Sequence, residues 1–360
     1  MLSCQTTRSK LVGSREALEN FQFVTINGRV EFEDVGRVSL IAYYYSKAVK
    51  AGVNLALRGV SLNEAVKELY KVIPYASYAE TAYKQALALV ENGGRKVEIK
   101  RRWVACRGNK SDEGNRGIKF HVLEDHVEVR VRDPWSGEWV HGRAYFGKEY
   151  LPLLRELEDL AKRREEGYGA VISFKGRPTI HLQVPLWLYL KHLSSPKPAG
   201  YGLIAGLDLN SDRLNVVAIN KDGEIAAFKT WWYSEAVSHG FPEERAKALR
   251  LNAMSRALAF LARIGVDYVT FEDLFLVKGR RFTGSRSANR KITRFAKRQM
   301  LTHGVIKALR LGFNVILVDP KATTNSEDHN RVMREKGFDR HTASAYLIAL
   351  KGLGTINDVK

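Results

Sequence analysis

Three acidic residues stand where the sequence predicts the ends of structural elements. Asp208 interrupts the apolar run Leu203–Leu207, which is short enough for a buried central strand. Glu272 ends the predicted strand Tyr268–Glu272, and Asp339 stands at the start of the last predicted helix. Burying a carboxylate is costly unless its charge is paired. For Asp208 a structural turn cap, and for Asp339 an ordinary helix cap, are the plain alternatives to a functional role.

These acids would do metal chemistry if they converge. In one mixed sheet, with the strand of Asp208 central and that of Glu272 beside it, the two carboxylates meet, and the last helix can bring Asp339 alongside. Crowded carboxylates repel one another unless divalent cations neutralise them, and hard oxygen ligands suit Mg²⁺ or Mn²⁺. Two such ions can activate a water and stabilise the leaving oxygen of a phosphodiester. The sequence therefore predicts a two-ion magnesium or manganese site.

A strongly basic segment follows Glu272. No acidic residue occurs in 274–318, whereas four arginines recur at a spacing of four along a helix predicted from about residue 285: Arg286, Arg290, Arg294 and Arg298. Like charges at this spacing repel, and an ordinary solvated face would mix signs, so phosphate best explains the stripe. The residues expected to bind nucleic acid are Lys278, Arg280, Arg281, Arg286, Arg290, Arg294, Lys297 and Arg298.

The composition also favours a polyanionic partner. The 360 residues include 58 Lys and Arg against 39 Asp and Glu, a formal net charge of +19, which favours nucleic acid. Ribosome-associated and membrane-surface proteins share this bias. Cys4 and Cys106 are far apart and form no CxxC pair, so no zinc ribbon and no disulfide framework is expected. No signal-peptide core or membrane span is evident, and a cytoplasmic protein is expected.

The predicted elements divide the chain into two domains. Residues 201–360 begin with a three-stranded antiparallel meander over 203–228 and continue as an α/β domain, in which Lys321–Gly337 is predicted to be a polar loop. Residues 1–193 are predicted to form a small β-barrel or sandwich with a helical insertion at about 35–92. Capping boxes at Ser61 and Ser77 mark two helix starts in that insertion. Residues 194–200 are predicted to be the linker.

Four motifs resemble the RuvC-type, RNase H-like nuclease core of TnpB proteins, the transposon-encoded relatives of the type V CRISPR effectors. They are Gly206-Leu-Asp-Leu-Asn210, Phe271-Glu-Asp-Leu274, Val318-Asp-Pro320 and Asp339-Arg-His-Thr-Ala343. The resemblance is clearest over about 202–350 and extends more faintly over the N-terminal half, where the family has a β-barrel interrupted by a helical insertion. It implies RNA-guided, metal-dependent cleavage of DNA, with guide RNA and target DNA as partners. Asp208, Glu272 and Asp339 match the family's catalytic acids.

Two features depart from that family. TnpB proteins usually carry a four-cysteine zinc ribbon between the Val-Asp-Pro strand and the last acid, but Lys321–Gly337 contains no cysteine. They usually have Asn two residues after the last acid, where this chain has His341. His341 is either a residue behind the metal ligands, contacting the metal's water or the phosphate, or a helix-surface residue.

Three functions follow from these observations. The first is an RNA-guided, divalent-metal-dependent DNA endonuclease of TnpB type. The second is a guided DNA-binding protein that no longer cuts and acts as a repressor or transposon accessory. The third is an unguided RNase H-like resolvase or transposase, which would not need the long N-terminal domain. Retention of all three acids favours the endonuclease, because mutually repelling carboxylates have no purpose in a protein that does not cut.

Overall fold

The computed structural model describes residues 10–11, 21–91, 101–195, 200–276, 294–321, 323 and 326–359. The chain divides into two compact units, one of residues 22–192 and the other of residues 1–21 together with 193–360. Part of the predicted linker, residues 196–199, lies outside the described residues. None of the described helices has both the length and the apolar composition needed to cross a membrane.

The described residues form the following strands and α-helices. The strands are β1 (Lys10–Leu11), β2 (Phe23–Phe32), β3 (Arg102–Cys106), β4 (Gly108–Asn109), β5 (Gly114–Asn115), β6 (Ile118–Val122), β7 (Val127–Arg132), β8 (Trp139–Tyr145), β9 (Gly169–Lys175), β10 (Arg177–Pro185), β11 (Leu203–Leu209), β12 (Arg213–Ile219), β13 (Ile225–Trp232), β14 (Val266–Glu272) and β15 (Asn314–Val318). The α-helices are α1 (Val35–Leu57), α2 (Leu62–Tyr70), α3 (Ala76–Glu91), α4 (Leu151–Lys162), α5 (Leu186–Leu193), α6 (Glu243–Arg263), α7 (Arg294–Arg310), α8 (Glu327–Lys336) and α9 (Arg340–Val359).

The unit of residues 22–192 contains a seven-stranded antiparallel sheet in the order β3-β9-β10-β2-β8-β7-β6. Helices α1, α2 and α3 form the predicted insertion between β2 and β3. The capping box at Ser61 is confirmed, because Ser61 and Glu64 exchange side chain to backbone hydrogen bonds at the start of α2. The one at Ser77 is wrong, since α3 begins at Ala76 and Ser77 lies inside the helix.

The predicted N-terminal β-barrel is wrong, because this sheet is open. A barrel requires its first and last strands to pair, but among the described strands β3 and β6 end the sheet without pairing with each other. Helices α1 and α3 pack beside β3. At the other edge, Glu158 on α4 accepts a hydrogen bond from Val122 N at 2.9 Å. A helix side chain therefore satisfies a backbone group at the edge that barrel closure would have paired.

The second unit contains a six-stranded mixed sheet in the order β1-β15-β14-β11-β12-β13. Strands β11, β12 and β13 form the predicted antiparallel meander, while β14 and β15 run parallel to β11. The expected arrangement is confirmed: the first strand of the meander is central, and the strand of Glu272 lies beside it. Strand β1 adds to the far edge by pairing with β15.

Helix α9 lies unusually close to one face of this sheet. A Cβ atom at Gly206 on β11 would lie 2.1 Å from the carbonyl oxygen of Ala345 and 2.4 Å from the nitrogen of Ala349. A Cβ at Gly352 would lie 2.1 Å from Oγ1 of Thr270 on β14. Glycine is therefore needed where the helix meets β11 and again where it meets β14. The core on this face includes Ile204, Val217, Ile219, Ala343, Ala345, Tyr346 and Ala349.

The segment predicted as a polar loop contains helix α8 instead. Ser326 caps its start by accepting a hydrogen bond from His329 N at 3.1 Å, and Gly337, with φ of +65°, ends it. The segment was misassigned because it is polar almost throughout. Within helix α8, only the side chains of His329 and Val332 are buried.

Gly206→Ala is predicted to lower the free energy of unfolding by about 2 kcal/mol or more, because the added methyl group would collide with the backbone of α9. Chemical denaturation of the two proteins would measure the difference. Gly354→Ala, in α9 itself, is the control: no atom of the described residues lies within 4 Å of the added Cβ. It should raise stability by up to about 1 kcal/mol through helix propensity. Equal effects of the two substitutions would contradict the close approach of α9.

Candidate active site

Asp208 lies near the carboxyl end of the central strand β11 and is only 6% exposed. Its Oδ2 atom accepts a hydrogen bond from Asn210 Nδ2 at 2.7 Å and lies 3.1 Å from Nδ1 of His341. Within the described parts of the chain, no group hydrogen-bonds to its Oδ1 atom. Two neighbouring side chains thus hold one oxygen of this carboxylate in place.

Glu272 is the last residue of β14, the parallel neighbour of β11. The register pairs Leu207 with Phe271, so the next residues, Asp208 and Glu272, lie side by side at the carboxyl ends of their strands. Because side chains alternate along a strand, both point to the face that α9 covers through Gly206. The structure therefore brings these two predicted residues together.

The electrostatic environment of Glu272 reflects that proximity. Burial raises the pKa of Glu272, and the negative charge of Asp208 raises it further. A hydrogen bond donated by Thr323 Oγ1 to Glu272 Oε1 acts in the opposite direction, as do the charges of Lys297 and Lys351. The two carboxylates therefore repel each other in a region with little access to water. The nearby positive charges offset only part of this repulsion, because the net shift in the pKa of Glu272 is still upward.

Asp339 precedes the first residue of α9 and caps that helix. Its Oδ1 atom accepts hydrogen bonds from the backbone nitrogens of His341 at 2.8 Å and Thr342 at 3.1 Å, and its Oδ2 atom accepts one from Thr342 Oγ1 at 2.7 Å. Burial would raise the pKa of Asp339, but these hydrogen bonds hold it below its ordinary value. Asp339 is therefore an ionised, firmly oriented carboxylate.

His341 connects Asp339 to Asp208. Its backbone nitrogen donates to Asp339, and its imidazole contacts Asp208. His341 shares one side of α9 with Ala345 and Ala349, the residues against which Gly206 packs, because they follow at a spacing of four. On the side of α9 that meets the sheet, His341 is thus the residue nearest the start of the helix, and its imidazole contacts Asp208. His341 is therefore not a plain helix-surface residue.

The sequence did not single out Asn215 and Thr342, which link Asp339 to the sheet. Asn215 is the cross-strand partner of Asp208 on β12, and its Nδ2 atom donates to Thr342 Oγ1 at 3.2 Å and to Thr230 Oγ1 at 2.8 Å. Thr342 in turn donates to Asp339. The Oδ1 atom of Asn215 is buried and has no hydrogen-bond partner among the residues that the structure describes. The signal that could have revealed this residue is an amide within the apolar run Leu214–Ile219.

The donor chemistry of this region fits a hard divalent cation. Three carboxylates and the buried amide oxygen of Asn215 are oxygen donors of the kind that Mg²⁺ and Mn²⁺ prefer. A cation would also offset the repulsion that raises the pKa of Glu272. Over the described ranges, no group of three or more His, Cys, Asp or Glu side chains is arranged to hold a metal ion. The acids share one end of the sheet without forming a complete coordination group.

Most of the predicted nucleic-acid-binding residues lie outside the described residues: Lys278, Arg280, Arg281, Arg286 and Arg290. Arg294 is the first residue of α7. Lys297 lies near the acids, since its charge lowers the pKa of Glu272. The guanidinium of Arg298 stacks over Phe275 at 5.7 Å and donates to the carbonyl of Leu274 at 3.4 Å, so Arg298 also has a structural role.

Thr342→Val is predicted to lower the free energy of unfolding by about 1–3 kcal/mol, because it leaves Asp339 Oδ2 and Asn215 Nδ2 without their shared partner. Thr342→Ser keeps the hydroxyl group and should lower the free energy of unfolding by less than Thr342→Val does. Urea denaturation of the three proteins would measure the difference. If Val were tolerated as well as Ser, the Asn215–Thr342–Asp339 connection would not contribute to stability.

Two solved structures show partial similarity to this chain. "Cryo-EM structure of the Cas12f1-sgRNA-target DNA complex" matches with a TM-score of 0.44 and 12% identity, covering 87% of this chain and 81% of that one. "T. thermophilus RuvC in complex with Holliday junction substrate" matches with a TM-score of 0.32 and 15% identity, covering 44% of this chain and 96% of that one. Both TM-scores are below 0.5, which is too low to assign a shared fold.

Sequence relatives are more closely similar. The family described as SSO2105 N-terminal domain matches residues 23–194. The "Uncharacterized protein SSO2105" of Saccharolobus solfataricus is 63% identical, with 100% of both chains covered. An "Uncharacterized protein" of Aeropyrum pernix is 31% identical over 82% of this chain and 84% of its own. This level of identity over nearly the whole length shows that the chain belongs to the SSO2105 family.

Proposed function

We propose that this chain is a RuvC-type nuclease with an RNase H-like core, which hydrolyses DNA with divalent metal ions under the guidance of an RNA, as TnpB proteins do. The observation that supports it most strongly is the position of Asp208 and Glu272, side by side at the carboxyl ends of two parallel strands, with Asp339 tied to the same region through His341. Ligands of α/β sheets commonly bind at such strand ends.

The proposed metal ligands are Asp208, Glu272 and Asp339. Mg²⁺ or Mn²⁺ held there, as one ion or two, would activate water and stabilise the leaving oxygen of a phosphodiester. Four neighbouring residues orient these ligands through hydrogen bonds. His341 and Asn210 hold one oxygen of Asp208, Thr323 holds one oxygen of Glu272, and Thr342 holds Asp339. Mutation of a residue that hydrogen-bonds to a metal ligand usually lowers metal affinity or activity by about 10- to 100-fold.

The guided part of the proposal is supported by sequence features. The four motifs in 202–350 resemble the TnpB core, and the net charge of +19 suits partners with phosphate backbones, here a guide RNA and a target DNA. Residues 22–192 form a separate unit with its own antiparallel sheet and a helical insertion, which gives the chain a second folded unit available to bind RNA. A cytoplasmic location, where such nucleic acids occur, belongs to the same proposal.

A guided DNA-binding protein that does not cut is the second candidate. The observation that favours it is the contact between His341 and Asp208, which occupies an oxygen atom that an ion would otherwise share. Both candidates are expected to bind nucleic acid, but only the first is expected to cut DNA when Mg²⁺ is added.

Asp208→Asn, Glu272→Gln and Asp339→Asn should each reduce Mg²⁺-dependent cleavage by more than about 100-fold. Loss of a metal ligand should cost more activity than loss of a residue that only hydrogen-bonds to a ligand, which usually costs about 10- to 100-fold. The assay incubates protein purified with its bound RNA with labelled DNA that matches this RNA, with Mg²⁺ or EDTA. Binding of the DNA should persist in all three variants.

Asp222→Asn is the control for those substitutions, because Asp222 is an exposed carboxylate in the turn between β12 and β13. It should cut like the wild type. If the wild type binds the matching DNA but never cuts it, the non-cutting candidate is correct. Cutting without any bound RNA would instead favour an unguided nuclease.

Substitutions of His341 should separate a supporting role from a blocking role. The contact to Asp208 uses Nδ1, whose position the side-chain nitrogen of Asn reproduces and that of Gln does not. His341→Ala and His341→Gln should therefore slow cleavage by about 10- to 100-fold, whereas His341→Asn should retain most of it. The measurement is single-turnover cleavage over a range of Mg²⁺ concentrations. Faster cleavage by His341→Ala would mean that the imidazole blocks the site.

A further inference from the structure

A cationic groove lies on the side of the sheet opposite to the acids. Thr230 on the edge strand β13 bonds Asn215 on the acid side, so its neighbours Lys229 and Trp231 point to the other face. There they meet helix α6, where the ring of Phe260 lies 5.8 Å from that of Trp231. The groove has a volume of about 400 Å³ and is lined by Lys229, Trp231, Arg256, Ala259, Phe260 and Arg263.

The charge of this groove is of one sign. Within the part of the chain that the structure describes, its lining contains three cations and no carboxylate. Among the described residues, Lys229, Arg256 and Arg263 have no ion-pair partner. The ammonium group of Lys229 contacts aromatic rings instead, at 5.6 Å from the centroid of Trp231 and 5.5 Å from that of Phe260. Three like charges facing one groove repel each other, and an anion in the groove would relieve that repulsion.

The spacing of the cations suits several phosphates in a row. Arg256 and Arg263 lie seven residues apart on α6, which is about 10 Å along the helix. Phe260 lies between them on the same side, and Lys229 faces them from β13. Successive phosphates of one strand rise about 3.4 Å along a duplex axis, so this length covers about three intervals between phosphates.

A structural role explains each cation singly. A lysine on an edge strand discourages pairing with another chain, and exposed arginines keep a helix soluble. Neither role explains why all three face one groove with an aromatic wall and without an acid.

We infer that the groove between β13 and α6 binds the phosphate backbone of a nucleic acid strand. This site lies on the opposite face from the proposed metal ligands. It deepens the proposed function, on which it rests, by naming a surface for the backbone of its nucleic acid partner, and binding there requires neither a metal ion nor cleavage.

The test is the salt dependence of nucleic acid binding by a triple variant, Lys229→Gln with Arg256→Gln and Arg263→Gln. Fluorescence anisotropy with labelled 20-mer DNA duplex and single-stranded RNA, in EDTA between 50 and 200 mM NaCl, gives the slope of log affinity against log salt. Loss of three phosphate contacts should reduce the slope by about 2–3. Over this fourfold change in salt, the wild type should then lose about 20- to 60-fold more affinity than the variant.

The matched control is Lys221→Gln with Arg334→Gln and Lys336→Gln, three exposed cations of the same unit that lie outside the groove and give the same change in net charge. Its slope should stay near that of the wild type. Equal losses in the two triple variants would overturn the inference, because net charge alone would then explain binding. Tripolyphosphate that competes as well as the 20-mers, per phosphate, would also overturn it in favour of a pocket for small anions.

If the triple variant is unfolded by circular dichroism, Lys229→Gln alone is measured, with an expected slope reduction of about 1. An unchanged slope in a folded Lys229→Gln protein would also overturn the inference. Because all binding is measured in EDTA, the outcome is independent of whether Asp208→Asn abolishes cleavage.

Discussion

The site depends on the close contact between α9 and the central sheet. Gly206 on β11 and Gly352 on α9 remove the side chains that would separate helix and strands, so backbone lies almost directly on backbone. Asp339 and His341 stand at the start of the same helix, and their positions over Asp208 follow from that packing. A helix held further away by one methyl group would move the third acid away from the other two. The glycine of the Gly-Leu-Asp motif is therefore needed so that α9 can pack closely enough to bring Asp339 near Asp208.

The same packing creates an electrostatic problem that neighbouring residues only partly relieve. Asp208 and Glu272 are brought together away from water, and burial and mutual repulsion raise the pKa of Glu272. Lys351 of α9 donates to the carbonyl oxygen of Asp319 at 2.8 Å and also to that of Lys321, so it ties the segment after β15 to the helix. That segment carries Thr323, which donates to Glu272. Residual negative charge in an organised oxygen-rich region is the condition under which a divalent cation binds well.

Errors in the sequence-based interpretation have physical causes. The antiparallel strands of residues 22–192 were recognisable from their alternation, but alternation is the same in a closed barrel and in an open sheet. Closure depends on whether the end strands pair, and here helices lie beside β3 and the Glu158 carboxylate binds the backbone of β6. Helix α8 was missed because it buries too few apolar side chains to show a periodic pattern, although Ser326 and Gly337 marked its ends.

By itself, the sequence determined the meander, the central position of β11 and the presence of acids at element ends, because these follow from short-range patterns of apolar and polar residues. It also indicated a phosphate-bearing partner through its net charge of +19. Only the tertiary structure decided that Asn215 and Thr342 connect Asp339 to the sheet, that His341 contacts Asp208, and that Lys229 shares a groove with two arginines of α6. These relations join residues distant in sequence, and they depend on the distance and register between packed elements, which no local pattern encodes.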